Sequence, residues 1–118
     1  MFSRIAKLAA LASALTACVA NDEPMPSDFE MTGLYMYMAD AATFEDCSTG
    51  KRYPVLIEMA HIEVERNYLR SRESPGQPML LTARFAIVER PPEPGMPPRE
   101  HLRVVEYGEL GPGADCPR

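Results

Sequence analysis

A mainly β domain is what this sequence predicts: a small five-stranded barrel with one helix between its third and fourth strands. Three observations carry that expectation. Apolar residues recur in five short runs of strand type. One stretch, residues 59–72, drops the alternation for a four-residue period, the mark of an amphipathic helix. Turn-forming glycine, proline and serine separate the runs. With 118 residues the chain is long enough for one domain and not two, and it shows no internal repeat.

The leader comes first in the chain. Arg4 and Lys7 form a short positive segment ahead of the apolar run Leu8–Leu15. That run is shorter than the ~20 apolar residues a spanning helix needs, and residues 8–17 offer no hydrophilic face for a surface helix. Residues 1–17 therefore read as a signal peptide. Leu15-Thr16-Ala17-Cys18 has the form of a bacterial lipobox, in which small residues thread into the signal peptidase and the thiol takes up a diacylglyceryl group. The expected mature chain starts at Cys18, acylated on sulfur and amine; an ordinary cleavage nearby, leaving Cys18 unmodified, is the alternative. Three acyl chains would make the anchor effectively permanent. Val19, where an aspartate would retain the protein at the inner membrane, points to the outer membrane, with the domain facing the periplasm. Residues 18–31, polar and with prolines at 24 and 26, read as a flexible tether, and residues 32–118 as the domain.

Within the domain, Leu34–Met38 has apolar residues on both faces, as in a strand of a closed or covered sheet. A small-residue corner at Asp40, Ala41 and Ala42 leads to a short strand, Phe44–Cys47, ended by the Ser48-Thr49-Gly50 turn. Tyr53–Ile57 is the third strand, with Pro54 near its start, where proline is tolerated. In Met59–Arg72 the stripe Ala60, Val64, Tyr68, with Leu69 beside it, faces the core. Glu63 and Glu65 precede Arg66, Arg70 and Arg72, which suits the helix dipole, and Ser74-Pro75-Gly76 stops the helix. In Met79–Arg90, Met79, Leu81, Ala83, Phe85 and Ile87 point one way and Thr82, Arg84 and Arg90 the other. Pro91–Pro98 lacks an amide donor at five of eight positions and is a loop. Leu102–Tyr107 is the last strand, followed by a glycine- and proline-rich tail carrying Cys116. Strand, strand, strand, helix, strand, strand is the order of an OB-like barrel, in which closure removes exposed edges.

Charge excludes some partners. Removing Arg4 and Lys7 from the 12 basic residues leaves 10 against 17 acidic ones, a formal charge of −7. Such a surface repels nucleic acid and anionic headgroups, so no nucleic acid is expected as a partner. The loop between strands four and five is a common contact element of OB-folds. Pro91, Pro92, Pro94, Met96 and Pro97 are accordingly the candidate contact surface for another envelope protein.

Chemistry-bearing residues are sparse. Setting Cys18 aside leaves Cys47 and Cys116, and a left-over pair in an exported chain reads as a disulfide, with two free thiols as the alternative. It would close a loop of about 70 residues, worth roughly 4 kcal/mol in the chain-entropy model. Eight methionines and the histidines His61 and His101 raise a copper reading, since thioethers suit Cu(I) and imidazoles suit Cu(II). Met36 and Met38 would share a strand face, but core packing accounts equally well for Met59 and Met79. Asp40, Glu45 and Asp46 would form either a divalent-ion cluster at one rim or a set of turn caps. No nucleophile–base arrangement and no phosphate loop stands out. The expectation is a non-enzymatic protein with no cofactor beyond its covalent lipid, and copper binding through Met and His ligands as the alternative function.

The segments GLYMYMADAATFEDCSTGKRYPV, EVERNYLRSR and PGQPMLLTARFAIVERPP, with the closing Asp115-Cys116, resemble the C-terminal domain of the NlpE lipoproteins across residues 33–116. That family is named for copper resistance and linked to envelope-stress signalling. The resemblance implies an OB-like barrel with a disulfide at the positions of Cys47 and Cys116. Longer members carry an N-terminal domain with a C-x-x-C motif, the part associated with copper and with the stress-sensing kinase. What the resemblance implies here is the C-terminal module set directly behind a lipid anchor.

Overall fold

A computed structural model describes residues 27–118; Cys18 and the leader lie outside the described residues. Five strands and a helix follow in the expected order: β1 Phe29–Met38, β2 Ala41–Asp46, β3 Arg52–Val55, α1 His61–Ser71, β4 Met79–Arg90 and β5 Arg99–Gly111. The strands close into a barrel in the order β1-β2-β3-β5-β4. All neighbours are antiparallel except β3 and β5, which meet in parallel at Val55 and Leu102. The Leu56 amide continues that junction by donating to the Leu102 carbonyl at 2.8 Å.

Several boundaries differ from the sequence reading, each for a local reason. β1 starts at Phe29, so the last three residues assigned to the tether are already strand, hydrogen-bonded to β4 from Phe29↔Phe85 onward. The corner after β1 is Ala39-Asp40 and not Asp40–Ala42. Both residues have positive φ, 54° and 63°, as a two-residue hairpin turn demands, and Ala41 and Ala42 already pair in β2. β3 starts one residue earlier than expected, at Arg52, and ends two earlier, at Val55, because the chain leaves the barrel at Leu56 towards the helix. β5 runs on to Gly111, four residues past Tyr107, pairing with Leu80–Thr82. Its extension passes a bulge at Gly108, where any Cβ would lie 2.5 Å from the Thr82 carbonyl oxygen.

The core fills the barrel. Tyr35, Phe44, Leu81, Phe85, Leu102 and Val104 are fully buried, with Val64 and Tyr68 of α1 packed among them. Phe44 and Phe85 pack with their rings tilted by 49° and centroids 4.6 Å apart, and Tyr35 meets Tyr68 edge to face at 5.2 Å. Gly33 makes room for this. It sits in the stretch of β1 that pairs with β2 and β4 together, and a Cβ there would lie 2.2 Å from the Glu45 carbonyl oxygen and 2.5 Å from the Phe44 ring. On β4 the expected inward set holds at Met79, Leu81, Ala83 and Phe85. A register shift between Arg84 and Phe85 then turns Ala86 inward as well and leaves Ile87 half-buried.

The helix is shorter than the periodic stretch. Met59, with φ of 55°, cannot start it, and Ala60 serves as N-cap without a side-chain hydrogen bond. His61 joins Val64 and Tyr68 in the core, Ala60 is half-buried against it, and Leu69, expected at the edge of the core stripe, faces solvent.

Candidate functional site

Three places hold the residues with functional potential: a disulfide corner, the proline loop, and a cleft at the start of α1. At the corner, Cys47 follows β2 and donates its amide to the Thr32 carbonyl of β1 at 3.0 Å. Its sulfur is bonded to that of Cys116, 69 residues further on, with the Cα atoms 5.6 Å apart. Asp46, buried just before it, organises the turn. Its Oδ1 accepts from the Ser48 amide at 2.9 Å and the Ser48 hydroxyl at 3.0 Å, and its Oδ2 from the Thr49 hydroxyl at 3.2 Å. The disulfide, Pro117, Ser48 and residues Glu30–Thr32 of β1 frame an open groove of about 330 Å³.

That arrangement separates the acidic residues the sequence grouped. Asp46 is a turn cap, Glu45 pairs with Arg52 at 3.0 Å, and Asp40 accepts from the Tyr37 hydroxyl at 3.2 Å. Among the described residues no three His, Cys, Asp or Glu side chains are placed to share a metal ion. The methionines scatter too. Met79 is in the core, Met36 is half-buried and packs against it, Met38 is exposed beside Gly76, and Met59, expected to pack at the helix start, is exposed.

The proline loop spans residues 91–98, since β4 and β5 pair from Arg90↔Arg99. At its tip Glu93-Pro94-Gly95-Met96 is a type II turn: proline leads, glycine has φ of 88°, and the Met96 amide donates to the Glu93 carbonyl at 3.1 Å. Pro91, Pro92, Pro94, Met96 and Pro97 are all exposed, so the loop presents a stiff, donor-poor apolar surface. At its base, the Glu58 carboxylate receives Arg90 through both oxygens at 3.0 and 3.2 Å, and Arg103 at 3.0 Å. The two guanidiniums hold the Glu58 carboxyl below the usual carboxylate range, Arg90 contributing most.

The cleft at α1 has no counterpart in the sequence reading. It holds about 240 Å³ between Ile57, Glu58, Met59, Ile62 and Glu65, with His61 at its floor. His61 is fully buried, and its Nε2 lies 2.8 Å from the Tyr35 hydroxyl. Burial and the Glu65 charge push the Tyr35 hydroxyl well above its ordinary pKa, so it keeps its proton, and its hydrogen bond with Nε2 runs in the direction the His61 tautomer sets. Nδ1 has no hydrogen-bond partner; the Glu65 carboxylate is 3.7 Å away. Burial lowers the His61 pKa, so the ring is neutral at pH 7. A single histidine beside position 60 of an apolar stripe gave no signal of this pairing, because its partner lies 26 residues away on β1.

A disulfide-stapled five-stranded barrel with its helix between β3 and β4 defines an OB-fold domain. The family profile of the NlpE C-terminal OB domain matches residues 25–117, and the chain belongs to that family. It is 40% identical over 87 residues to the lipoprotein NlpE of Escherichia coli K12, covering 73% of this chain and 35% of that protein. It also superposes on the crystal structure of the Cpx pathway activator NlpE from Escherichia coli, with a TM-score of 0.63 and 30% identity. That match covers 86% of this chain and 52% of the other. The chain thus spans about a third of the curated relative's length and half of the solved one.

Proposed function

We propose that this chain is a lipid-anchored, non-enzymatic interaction module of the bacterial envelope, held by acylated Cys18 at the outer membrane and facing the periplasm. Membership of the NlpE C-terminal family, over nearly the whole domain, carries the reading. The leader and the Leu15-Thr16-Ala17-Cys18 box supply the anchor. The exposed 91–98 loop supplies the contact surface for an envelope protein, since its prolines lose little conformational entropy on binding. A role in envelope-stress sensing follows from the relative described as a Cpx pathway activator. In that role the reduced form of the Cys47–Cys116 pair reports faulty oxidation, because losing the bond frees the tail without any ligand.

Labelling with a fatty-acid analogue tests the anchor. The wild-type chain takes up label and sediments with outer membranes, and Cys18→Ser remains an unlabelled precursor. Equal labelling of both, or none of the wild type, refutes it. Replacing Met96 by a photo-crosslinking residue tests the loop. A discrete envelope protein captured there, and lost when the other seven residues of 91–98 are replaced by Gly and Ser with the crosslinker kept at position 96, supports the contact; an identical capture pattern after that replacement refutes it.

A further inference from the structure

Helix α1 and the residues leading into it leave apolar side chains that the barrel does not use. Ile57, Met59 and Ile62, 51%, 62% and 58% exposed, rim the cleft at the helix start, and Leu69, 42% exposed, lies seven residues on from Ile62 along the outward face of α1 with Arg66 between them. Isolated apolar residues on a surface need no explanation, but three that rim one cleft, with a fourth two turns along the same helix, do. Charges along the same face are sorted: Glu63 and Glu65 occupy the first half of the helix, Arg66 and Arg70 the second. Ile62, Glu65, Arg66 and Leu69 form one diamond on that face.

We propose that this face docks on the same face of a second copy of the chain, in an antiparallel helix pair about a two-fold axis passing between residues 65 and 66. That register sets Ile62 of each copy against Leu69 of the other, and Glu65 against Arg66, both contacts occurring twice. Self-complementarity of this kind is what a two-fold interface requires. The acidic half of each helix lies over the basic half of its partner, and the two helix dipoles oppose. The incoming Leu69 meets the 240 Å³ cleft whose rim is Ile57, Met59 and Ile62, a space that accepts one leucyl side chain. Parallel pairing is ruled against by the same charges, since it would stack like on like.

An 11-residue helix is about 16 Å long, so the contact falls short of the ~800 Å² per partner usual for a stable complex. Association in dilute solution is therefore weak, and a membrane anchor raises it through effective concentration. The contact itself rests on the helix face and not on the anchor.

The test uses the full chain in the bacterial envelope, with Leu69 replaced by the photo-crosslinker p-benzoylphenylalanine. The expected product has twice the chain's mass and maps by mass spectrometry to residues 57–65 of the second copy. Arg66→Glu opposes two carboxylates at each crossing and lowers the yield on the order of tenfold. Co-expression with Glu65→Arg restores it, since the mixed pair regains both attractions. Thermal melts of each variant confirm a folded barrel. Should Glu65→Arg fail to fold because of its proximity to His61, Ile62→Asp on the exposed face takes its place and abolishes the same product. No dimeric product, a yield indifferent to Arg66→Glu and Ile62→Asp, or crosslinks to some other protein alone would each overturn the proposal.

Discussion

Removing both halves of the disulfide, as Cys47→Ala with Cys116→Ala, perturbs the unfolded chain more than the barrel. The bond closes a loop of 70 residues, counting both ends of the 69-residue separation. In the chain-entropy model such a loop is worth roughly 4 kcal/mol. A domain of this size has about 5–15 kcal/mol in all, so the double variant stays folded at low temperature while its melting point falls by about 15–30 °C. The folded state predicts where the local loss stops. β5 is paired to β4 as far as Gly111, and the Leu80 amide still donates to the Gly113 carbonyl at 3.1 Å. Residues 114–118 have no such backbone tie outside the disulfide among the described residues, so without it their amides exchange at the rate of an unfolded chain, and residues 102–110 keep their protection until global unfolding. Urea unfolding gives the first quantity and amide hydrogen exchange the second. A destabilisation under about 1 kcal/mol, or exchange of the β5 amides as fast as the tail, would refute the reasoning.

Other outcomes follow from single residues. Gly33→Ala drives a methyl group against a backbone carbonyl that cannot yield, and is expected to cost about 3 kcal/mol or prevent folding, read by thermal melting. Asp46→Ala strips three hydrogen bonds from the turn beside Cys47 and costs about 2 kcal/mol by urea unfolding, with the disulfide still formed. His61 makes stability fall in mild acid. Its folded pKa is below the unfolded value near 6.5, so the unfolded chain binds the extra proton. Stability is then full above about pH 6.5 and declines below it by up to ~1.4 kcal/mol per pH unit. Unfolding midpoints measured from pH 7.5 to 5 check this; a flat profile excludes a buried neutral imidazole. Glu58, held down by Arg90 and Arg103, adds a separate loss only below about pH 4.5.

The order of elements was legible because the signals are local. Alternation in 79–90, the four-residue period of Val64 and Tyr68, and the prolines at 91–98 each depend on neighbours within one or two turns of chain. What escaped the sequence depends on distant packing. Leu69 is more apolar than Tyr68, and only the way α1 packs on the barrel decides that Tyr68 faces the core and Leu69 water. His61 and Tyr35 meet because β1 and α1 cross, which no spacing records. Met36 and Met38 gave a strand face but not its direction, because both faces of that strand are apolar. The extension of β5 to Gly111 was hidden by glycines at 108 and 111, which read as tail until the bulge opposite Thr82 shows what Gly108 does.

The closeness of Cys47, Thr32 and Pro117 brings the start and the end of the folded chain to one rim of the barrel. A protein whose ends meet can be re-cut. Joining residue 116 to residue 28 through a few glycines and opening the chain inside 91–98 would preserve every strand pairing while reversing which segment is made first. The same geometry lets the domain be spliced into a host loop as a cassette, entering and leaving through one short gap, with its folding independent of what lies on either side.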